Sequence, residues 1–100
     1  MTRNGITAIS LADIEAAAKR LDGIAVRTPL IYSSVLNDIA GGRVFMKPES
    51  LQVTGSFKIR GALNAALRLS EGIDSQSQTI VTASAGNHGL ALALAAEELG

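Results

Sequence analysis

The chain has 100 residues, 47% of them hydrophobic, and its nine basic and nine acidic side chains give a formal net charge of zero. This composition excludes an intrinsically disordered chain, and the charge balance gives no basic surface for nucleic acid or an anionic membrane. The absence of cysteine excludes a disulfide framework, a thiolate zinc site and a cysteine nucleophile. No apolar stretch is typical of a secretory signal or long enough to span a bilayer, so we expect a soluble, cytoplasmic protein. We also expect no metal site, no nucleic-acid partner and no membrane attachment.

The first half of the chain is predicted to alternate between helices and short strands. Ser10 with Asp13 is typical of a helix N-terminus, and apolar residues then recur at helical spacing from Leu11 to Leu21, with Gly23 beyond. The next predicted elements are a strand over 24–27, a helix over 34–39 ended by Gly41 and Gly42, and a buried strand over 44–46 that ends before Pro48.

The second half is predicted to contain two longer helices with a strand between them. Composition favours a helix over 56–69, a polar boundary over 72–78, a strand over 79–83 and a helix from Asn87 to the end. Strand, turn and helix in this order predict an α/β fold with a parallel sheet. The last helix is apolar on nearly every face, so we expect cover from further chain or from other chains.

Lys58 is the first candidate for chemistry. At helical spacing it shares a stripe with Ala62, Ala65 and Leu69, whereas Arg60, Asn64 and Arg68 are predicted to face water. Desolvation and the positive end of the helix dipole would favour the neutral amine, which Schiff-base and proton-transfer chemistry need. The alternative is a lysine whose side chain simply extends past its neighbours into solvent.

The second candidate is a turn of small residues between the predicted strand and the last helix. It consists of Ser84, Ala85, Gly86, Asn87 and His88. Backbone N–H groups at a helix N-terminus bind anions, although Ser84 or Asn87 could equally act only as a helix cap. The single histidine excludes a multi-histidine metal site, and no Ser–His hydrolase signature accompanies it.

Two segments together resemble a known family. "KPESLQVTGSFKIRGALNAAL", followed by "TASAGNHGLALA", resembles the pyridoxal-phosphate (PLP) enzymes of the threonine/serine dehydratase and serine racemase group. These are the fold type II, or tryptophan-synthase-β-like, enzymes, and "RTPLIYSS" fits their N-terminal region. The resemblance implies a two-domain α/β architecture of which this chain is the N-terminal part.

The resemblance also assigns roles to individual residues. It implies that Lys58 holds PLP as a Schiff base and then acts as the base at the substrate Cα. Phe57 would pack beside the cofactor ring, and Asn87 would bind the 3′-oxygen of PLP. The substrate carboxylate would be bound by the turn of small residues: Ser84, Ala85, Gly86, Asn87 and His88.

The same resemblance predicts the domain division and the assembly. Residues 1–71 would begin the large domain that contains the lysine, and residues 77–100 would begin the small domain. The glycine-rich cradle for the PLP phosphate would lie downstream of this segment. A homodimer of the full-length chain is expected.

One departure from the family pattern favours a particular reaction. The racemases have a serine, the second base, directly after the position of Ser84, and this chain has Ala85 there. Because alanine cannot transfer a proton, we expect dehydration and deamination of L-threonine or L-serine to a 2-oxo acid and ammonia. The alternatives are a serine racemase, another hydroxy-amino-acid lyase, and a catalytically silent α/β module that binds an anion.

Overall fold

The computed structural model describes residues 2–3, 6–74 and 78–100, which form four α-helices and two short two-stranded sheets. The helices are α1 (Leu11–Leu21), α2 (Ser34–Ala40), α3 (Lys58–Ser70) and α4 (Asn87–Leu99). The strands are β1 (Thr2–Arg3), β2 (Ile6–Thr7), β3 (Ile31–Tyr32) and β4 (Phe45–Met46), with a 3-10 turn over Glu49–Leu51.

The predicted start of α1 is confirmed by a reciprocal pair of hydrogen bonds. Ser10 Oγ accepts from the backbone N–H of Asp13 at 3.3 Å, and Asp13 Oδ2 accepts from the N–H of Ser10 at 2.8 Å. The N–H of Asp13 in the first turn and the N–H of the N-cap residue Ser10 are thereby satisfied locally. Ser10 Oγ also donates to Asp13 Oδ2 at 2.7 Å, and this bond, together with the one from the Ser10 N–H, holds the pKa of the Asp13 carboxyl below its usual range.

The predicted second helix is also confirmed, and its end has a clear cause. Ser33 Oγ accepts from the N–H of Leu36 at the start of α2. Gly41 then adopts a left-handed conformation, with φ of 67°, and its N–H donates to the carbonyl of Asn37. A residue without Cβ is favoured in that conformation, so the glycine ends the helix.

A strand forms within the predicted range 44–46, but the prediction that it is buried is wrong. Phe45 and Met46 pair antiparallel with Tyr32 and Ile31, and Phe45 remains 46% exposed. The side chains of both strands of this two-stranded sheet stay about half exposed. The ring of Tyr32 lies edge-on to that of Phe45, with centroids 5.6 Å apart.

Two other predicted strands do not form. Residues 24–27 and 79–83 have no strand partner in the described part of the chain, so neither segment is part of a sheet. The parallel sheet expected from the order of the elements therefore does not form among the described residues. Residues 75–77, which include the predicted domain start at Ser77, lie outside the described residues.

The core lies where α3 packs against α4. It consists of Ile59, Ala62, Leu63 and Ala66 from α3 with Ala91 and Ala95 from α4. The alanines allow the two helices to approach closely, and only one face of α4 is covered, since Leu90 is more than half exposed. None of the helices in the described ranges has the length and apolar composition needed to cross a bilayer.

The apolar stripe predicted for α3 is wrong in part. Ala62 is buried as expected, but Leu69 is 76% exposed and Ala65 also faces solvent. The helix is instead rotated so that its larger side chains Ile59 and Leu63 are completely buried. This orientation removes more apolar surface from water than the stripe of alanines would.

Candidate functional site

Lys58 is the first residue of α3 and its side chain is exposed. The predicted desolvation of this amine is wrong, because α3 directs Ile59, and not Lys58, toward the core. Lys58 Nζ lies 5.5 Å from the centroid of the Phe57 ring, within the range of a cation–π contact. No carboxylate of the described residues forms an ion pair with the amine.

The loop before Lys58 turns sharply into the helix. Gly55 has φ of 75°, and its N–H donates to the carbonyl of Gln52 at 2.8 Å. Ser56 Oγ accepts from the N–H of Lys58 at 3.4 Å, and Phe57 precedes the first helical residue with its ring mostly exposed. The amine and the aromatic ring are therefore both accessible from solvent at the start of α3.

Glu49 and Arg60 form an ion pair on the other side of this helix turn. Arg60 Nη2 donates to Glu49 Oε1 at 2.7 Å, and Arg60 Nε donates to Oε2 at 3.0 Å. Thr28 Oγ1 also donates to Oε1 at 2.7 Å, and Gln52 Nε2 donates to Oε2 at 3.2 Å. The hydrogen bond from Arg60 is the main reason why the pKa of Glu49 is lowered to about 2.

Gln52 connects this loop to the segment that was predicted to be a strand. Its Oε1 accepts from the N–H of Val26 at 2.8 Å, and its Nε2 donates to the carbonyl of Val26 at 3.0 Å. The side-chain amide thus makes the two hydrogen bonds that a neighbouring strand would make. Gln52 is only 4% exposed, so these bonds are shielded from water.

Sequence reasoning missed these residues and misplaced one of them. Arg60 was predicted to face water, but it is half-buried because Glu49 binds its guanidinium. Glu49 and Gln52 lie within the first family motif, but the sequence assigns neither of them a role. The one local signal was a pair of opposite charges, Glu49 and Arg60, on either side of Lys58 in the sequence.

Residues 84–88 form an exposed turn that leads into α4; we call it the 84–88 loop. Ser84 Oγ accepts from the N–H of Gly86 at 3.2 Å, and Gly86 caps α4 without a side-chain hydrogen bond. The alternative in which Ser84 or Asn87 caps the helix is therefore wrong. Asn87 and His88 are the first residues of α4, whose N-terminal N–H groups suit an anion.

Gly89 is a further residue that sequence reasoning missed. A Cβ atom built on it would lie 3.3 Å from Ser84 Cβ and 3.5 Å from Ser84 Oγ. The loop therefore folds back tightly on the first turn of α4. A glycine leaves the space that this close approach needs.

The helices α3 and α4 pack against each other along the core described above. A pocket of about 570 Å³ opens between their C-terminal halves, and its lining includes Leu69, Ser70, Ala96 and Leu99. Lys58 and Asn87, the first residues of these two helices, belong to the two predicted site segments.

The Lys58 amine, the Phe57 ring and the N-terminus of α4 are the groups of the candidate site that the structure leaves open to solvent. The chain matches the family described as pyridoxal-phosphate dependent enzyme over residues 21–100. It is 49% identical over 92 residues to an L-threonine ammonia-lyase of Thermotoga maritima, which covers 92% of this chain and 22% of that protein.

A second relative and a solved structure are both named as serine racemases. The chain is 48% identical over 90 residues to a serine racemase of Rattus norvegicus, covering 89% of this chain and 27% of that protein. The crystal structure of serine racemase from Dictyostelium discoideum superposes with a TM-score of 0.80 at 43% identity. That match covers 91% of this chain and 29% of the racemase chain.

The chain belongs to the family of pyridoxal-phosphate dependent enzymes. The predicted fold class, fold type II, and the predicted cofactor, PLP, are thereby confirmed. The chain spans about a quarter of the length of the curated relatives that it matches. The exposed Lys58 amine and the Phe57 ring beside it fit this cofactor.

Proposed function

We propose that this chain is the lysine-bearing part of an ammonia-lyase that converts L-threonine or L-serine to a 2-oxo acid and ammonia. The observation behind the proposal is Ala85, next to Ser84 in the 84–88 loop. In the racemases that the motif resembles, a serine follows the position of Ser84 and provides the second base. A methyl group at that position cannot deliver a proton to the opposite face of the substrate Cα.

In the proposed reaction, the residues at the start of α3 and those at the start of α4 have different roles. PLP, when bound, supplies the electron sink that makes a proton on the substrate Cα removable. Lys58 Nζ would hold the cofactor and move the proton at Cα. Phe57 would pack beside the cofactor ring, and Asn87 would bind its 3′-oxygen. The N–H groups of the 84–88 loop would bind and orient the substrate carboxylate.

A serine racemase is the second candidate function. It is favoured by the sequence comparison, because the identity to the rat serine racemase, 48%, is close to the identity to the ammonia-lyase, 49%. The two reactions share the cofactor, the lysine and the carboxylate site. They differ in whether a second proton donor faces the substrate Cα.

Purified full-length protein distinguishes the two functions in one assay. With L-threonine and L-serine as substrates, we expect formation of 2-oxo acid and ammonia to exceed formation of D-serine. Racemisation of L-serine as fast as its deamination would overturn the proposal in favour of the racemase. A silent anion-binding module would give neither product, and borohydride reduction would leave Lys58 unmodified.

We further propose the domain division and assembly that the family resemblance implies. Residues 1–71 would belong to the large domain and residues 77–100 to the small domain of a cytoplasmic homodimer. Light scattering on the full-length protein tests the assembly, since a mass of one chain would contradict it. Limited proteolysis tests the division, because cleavage near residues 72–78 is expected between two domains.

A further inference from the structure

The segment that contains Lys58 is closed into a loop by its own side chains. Glu49 begins the segment and Arg60 ends it, and the two hydrogen bonds between them are 2.7 Å and 3.0 Å long. A two-pronged contact of this kind fixes both the distance and the orientation of its partners. The first turn of α3 therefore has a defined position relative to Glu49.

The loop is itself anchored to a distant part of the chain. Thr28 donates to Glu49, Gln52 makes two hydrogen bonds to the backbone of Val26, and Arg60 Nη2 donates to the Val26 carbonyl at 3.2 Å. Thr28 and Gln52 are both nearly completely buried. Residues 26–28 thus provide a fixed base to which both ends of the 49–60 segment are attached.

The geometry of the helix turn separates the anchor from the reactive group. Arg60 follows Lys58 by two residues, which places the two side chains about 200° apart around the helix axis. Ile59, between them, is completely buried in the core. The helix start is thus held through Arg60 and Ile59, while the Lys58 amine is left accessible.

Glu49 forms ion pairs with Arg60 and, at 4.0 Å, with Lys47. Its two carboxylate oxygens accept four hydrogen bonds, from Thr28, Gln52 and twice from Arg60. A carboxylate has about four acceptor positions, so these bonds occupy its capacity. Among the described residues, Glu49 pairs with Lys47 and Arg60 and not with the Lys58 ammonium; such a pair would oppose reaction of the amine with an aldehyde.

We infer that Glu49 and Arg60 are positioning residues that fix the start of α3 so that the Lys58 amine reaches PLP, an inference that rests on the proposed function. Neither residue touches the reacting atoms. Both act through the position of Lys58. Loss of either residue is expected to slow the reaction of Lys58 with PLP while the fold is largely retained.

The test measures which lysine of the full-length apoprotein reacts with PLP. The protein is mixed with PLP, samples are reduced with borohydride over time, and modified peptides are quantified by mass spectrometry. Lys19 on α1 is exposed and far from the ion pair in sequence, so its modification is an internal reference. The rate at Lys58 is expressed relative to the rate at Lys19.

Two variants disrupt the ion pair in different ways. Glu49→Gln removes the negative charge, whereas Arg60→Lys keeps the positive charge and removes the planar two-pronged contact. We expect both to lower the relative rate at Lys58 roughly ten- to hundredfold, since small displacements of a reacting group have effects of that size. If one variant does not fold, the other still provides the test.

Glu71→Gln is the matched control. Arg20 Nε donates to Glu71 Oε1 at 2.8 Å, so this variant removes another Arg–carboxylate contact, just past the opposite end of α3. We expect its relative rate at Lys58 to equal that of the wild type, at a temperature below the melting temperature of every variant.

Three outcomes would contradict the inference. Unchanged rates in both Glu49→Gln and Arg60→Lys would show that the ion pair does not position Lys58. An equal decrease in Glu71→Gln would show a general loss of stability instead. If Lys58 of the wild type reacts no faster than Lys19, the proposed function itself is wrong and the inference is wrong with it.

Discussion

Ala85 is the residue at which the proposed reaction is most directly testable. Ala85→Ser places a hydroxyl group in the exposed 84–88 loop, next to Ser84. We expect the ratio of D-serine to pyruvate formed from L-serine to rise roughly tenfold or more, because a positioned proton-transfer group contributes up to several orders of magnitude. Chiral chromatography and a 2-oxo acid assay measure the two products.

Ala83→Ser is the control for this variant. It introduces the same hydroxyl group two residues earlier, in the same exposed stretch. We expect no change in the product ratio. An equal gain in both variants would mean that the position of Ala85 does not determine the reaction.

The lowered pKa of Glu49 makes the stability of the folded protein depend on pH in a defined direction. Its pKa is lowered from the ordinary value of 4.5 to about 2, mainly by the hydrogen bond from Arg60. A carboxyl group with a lowered folded-state pKa stabilises the fold fully above its unfolded-state pKa, and this stabilisation is lost as the pH falls toward the folded-state pKa. We expect the melting temperature of the wild type to fall more steeply than that of Glu49→Gln between pH about 5 and about 3.

Calorimetry across this range checks the prediction. The comparison is between slopes, so a lower starting stability of the variant does not affect it. Parallel curves for the two proteins would mean that Glu49 has the same pKa in the folded and unfolded states.

Not all of the residues at the candidate site are predictable from the sequence. Lys58 and the 84–88 loop stand out by resemblance to the family motifs, and Lys58 also by its position at a helix start. Glu49 and Gln52 do not, because their partners Thr28 and Val26 are more than twenty residues away in the chain. A contact over that distance leaves no periodic pattern for sequence analysis to detect.

At the scale of the elements, the helices were predictable, whereas of the three predicted strands only the one over 44–46 forms. The helix ends depend on local signals, such as the capping bonds of Ser10 and the left-handed Gly41. A strand depends on a partner elsewhere in the chain. The 24–27 segment has strand-like residues, but the side chain of Gln52 occupies the hydrogen-bonding positions that a partner strand would use.

The close contact between α4 and the loop before it leads to a prediction about Gly89. Gly89→Ala would place a methyl group 3.3 Å from Ser84 Cβ, and the exposed loop has to move by a few tenths of an ångström. We expect the KM for the amino acid to rise several-fold with little loss of stability, because alanine favours a helix over glycine. Steady-state kinetics and thermal unfolding measure the two effects.

Gly61→Ala on α3 is the matched control for this change. A Cβ atom at Gly61 meets nothing within 4 Å, so only the helix propensity changes. We expect a gain of about 0.5–1 kcal/mol in the free energy of unfolding and an unchanged KM. An equal rise in KM for both variants would contradict the role of the Gly89 contact.

At the scale of the whole molecule, the contact between α3 and α4 is the main source of stability in the described part of the chain. Leu63 is completely buried there, and Leu63→Ala leaves a cavity beside Ala91 and Ala95. We expect a loss of about 2–5 kcal/mol in the free energy of unfolding. Denaturant unfolding of the full-length protein measures it.

Leu69→Ala tests whether that loss depends on burial. Leu69 lies on the same helix and is 76% exposed. We expect its removal to change the free energy of unfolding by no more than about 0.5 kcal/mol. Equal losses for the two variants would contradict the packing of α3 against α4 described above.

The amide of Gln52 has a consequence for how the sequence can vary. It binds the N–H and carbonyl of Val26, which every residue except proline provides, so many side chains are compatible with position 26. Position 52 has no such freedom, because asparagine is shorter and glutamate has no donor. In a saturation mutagenesis library, we therefore expect few substitutions to be tolerated at position 52 and many at position 26.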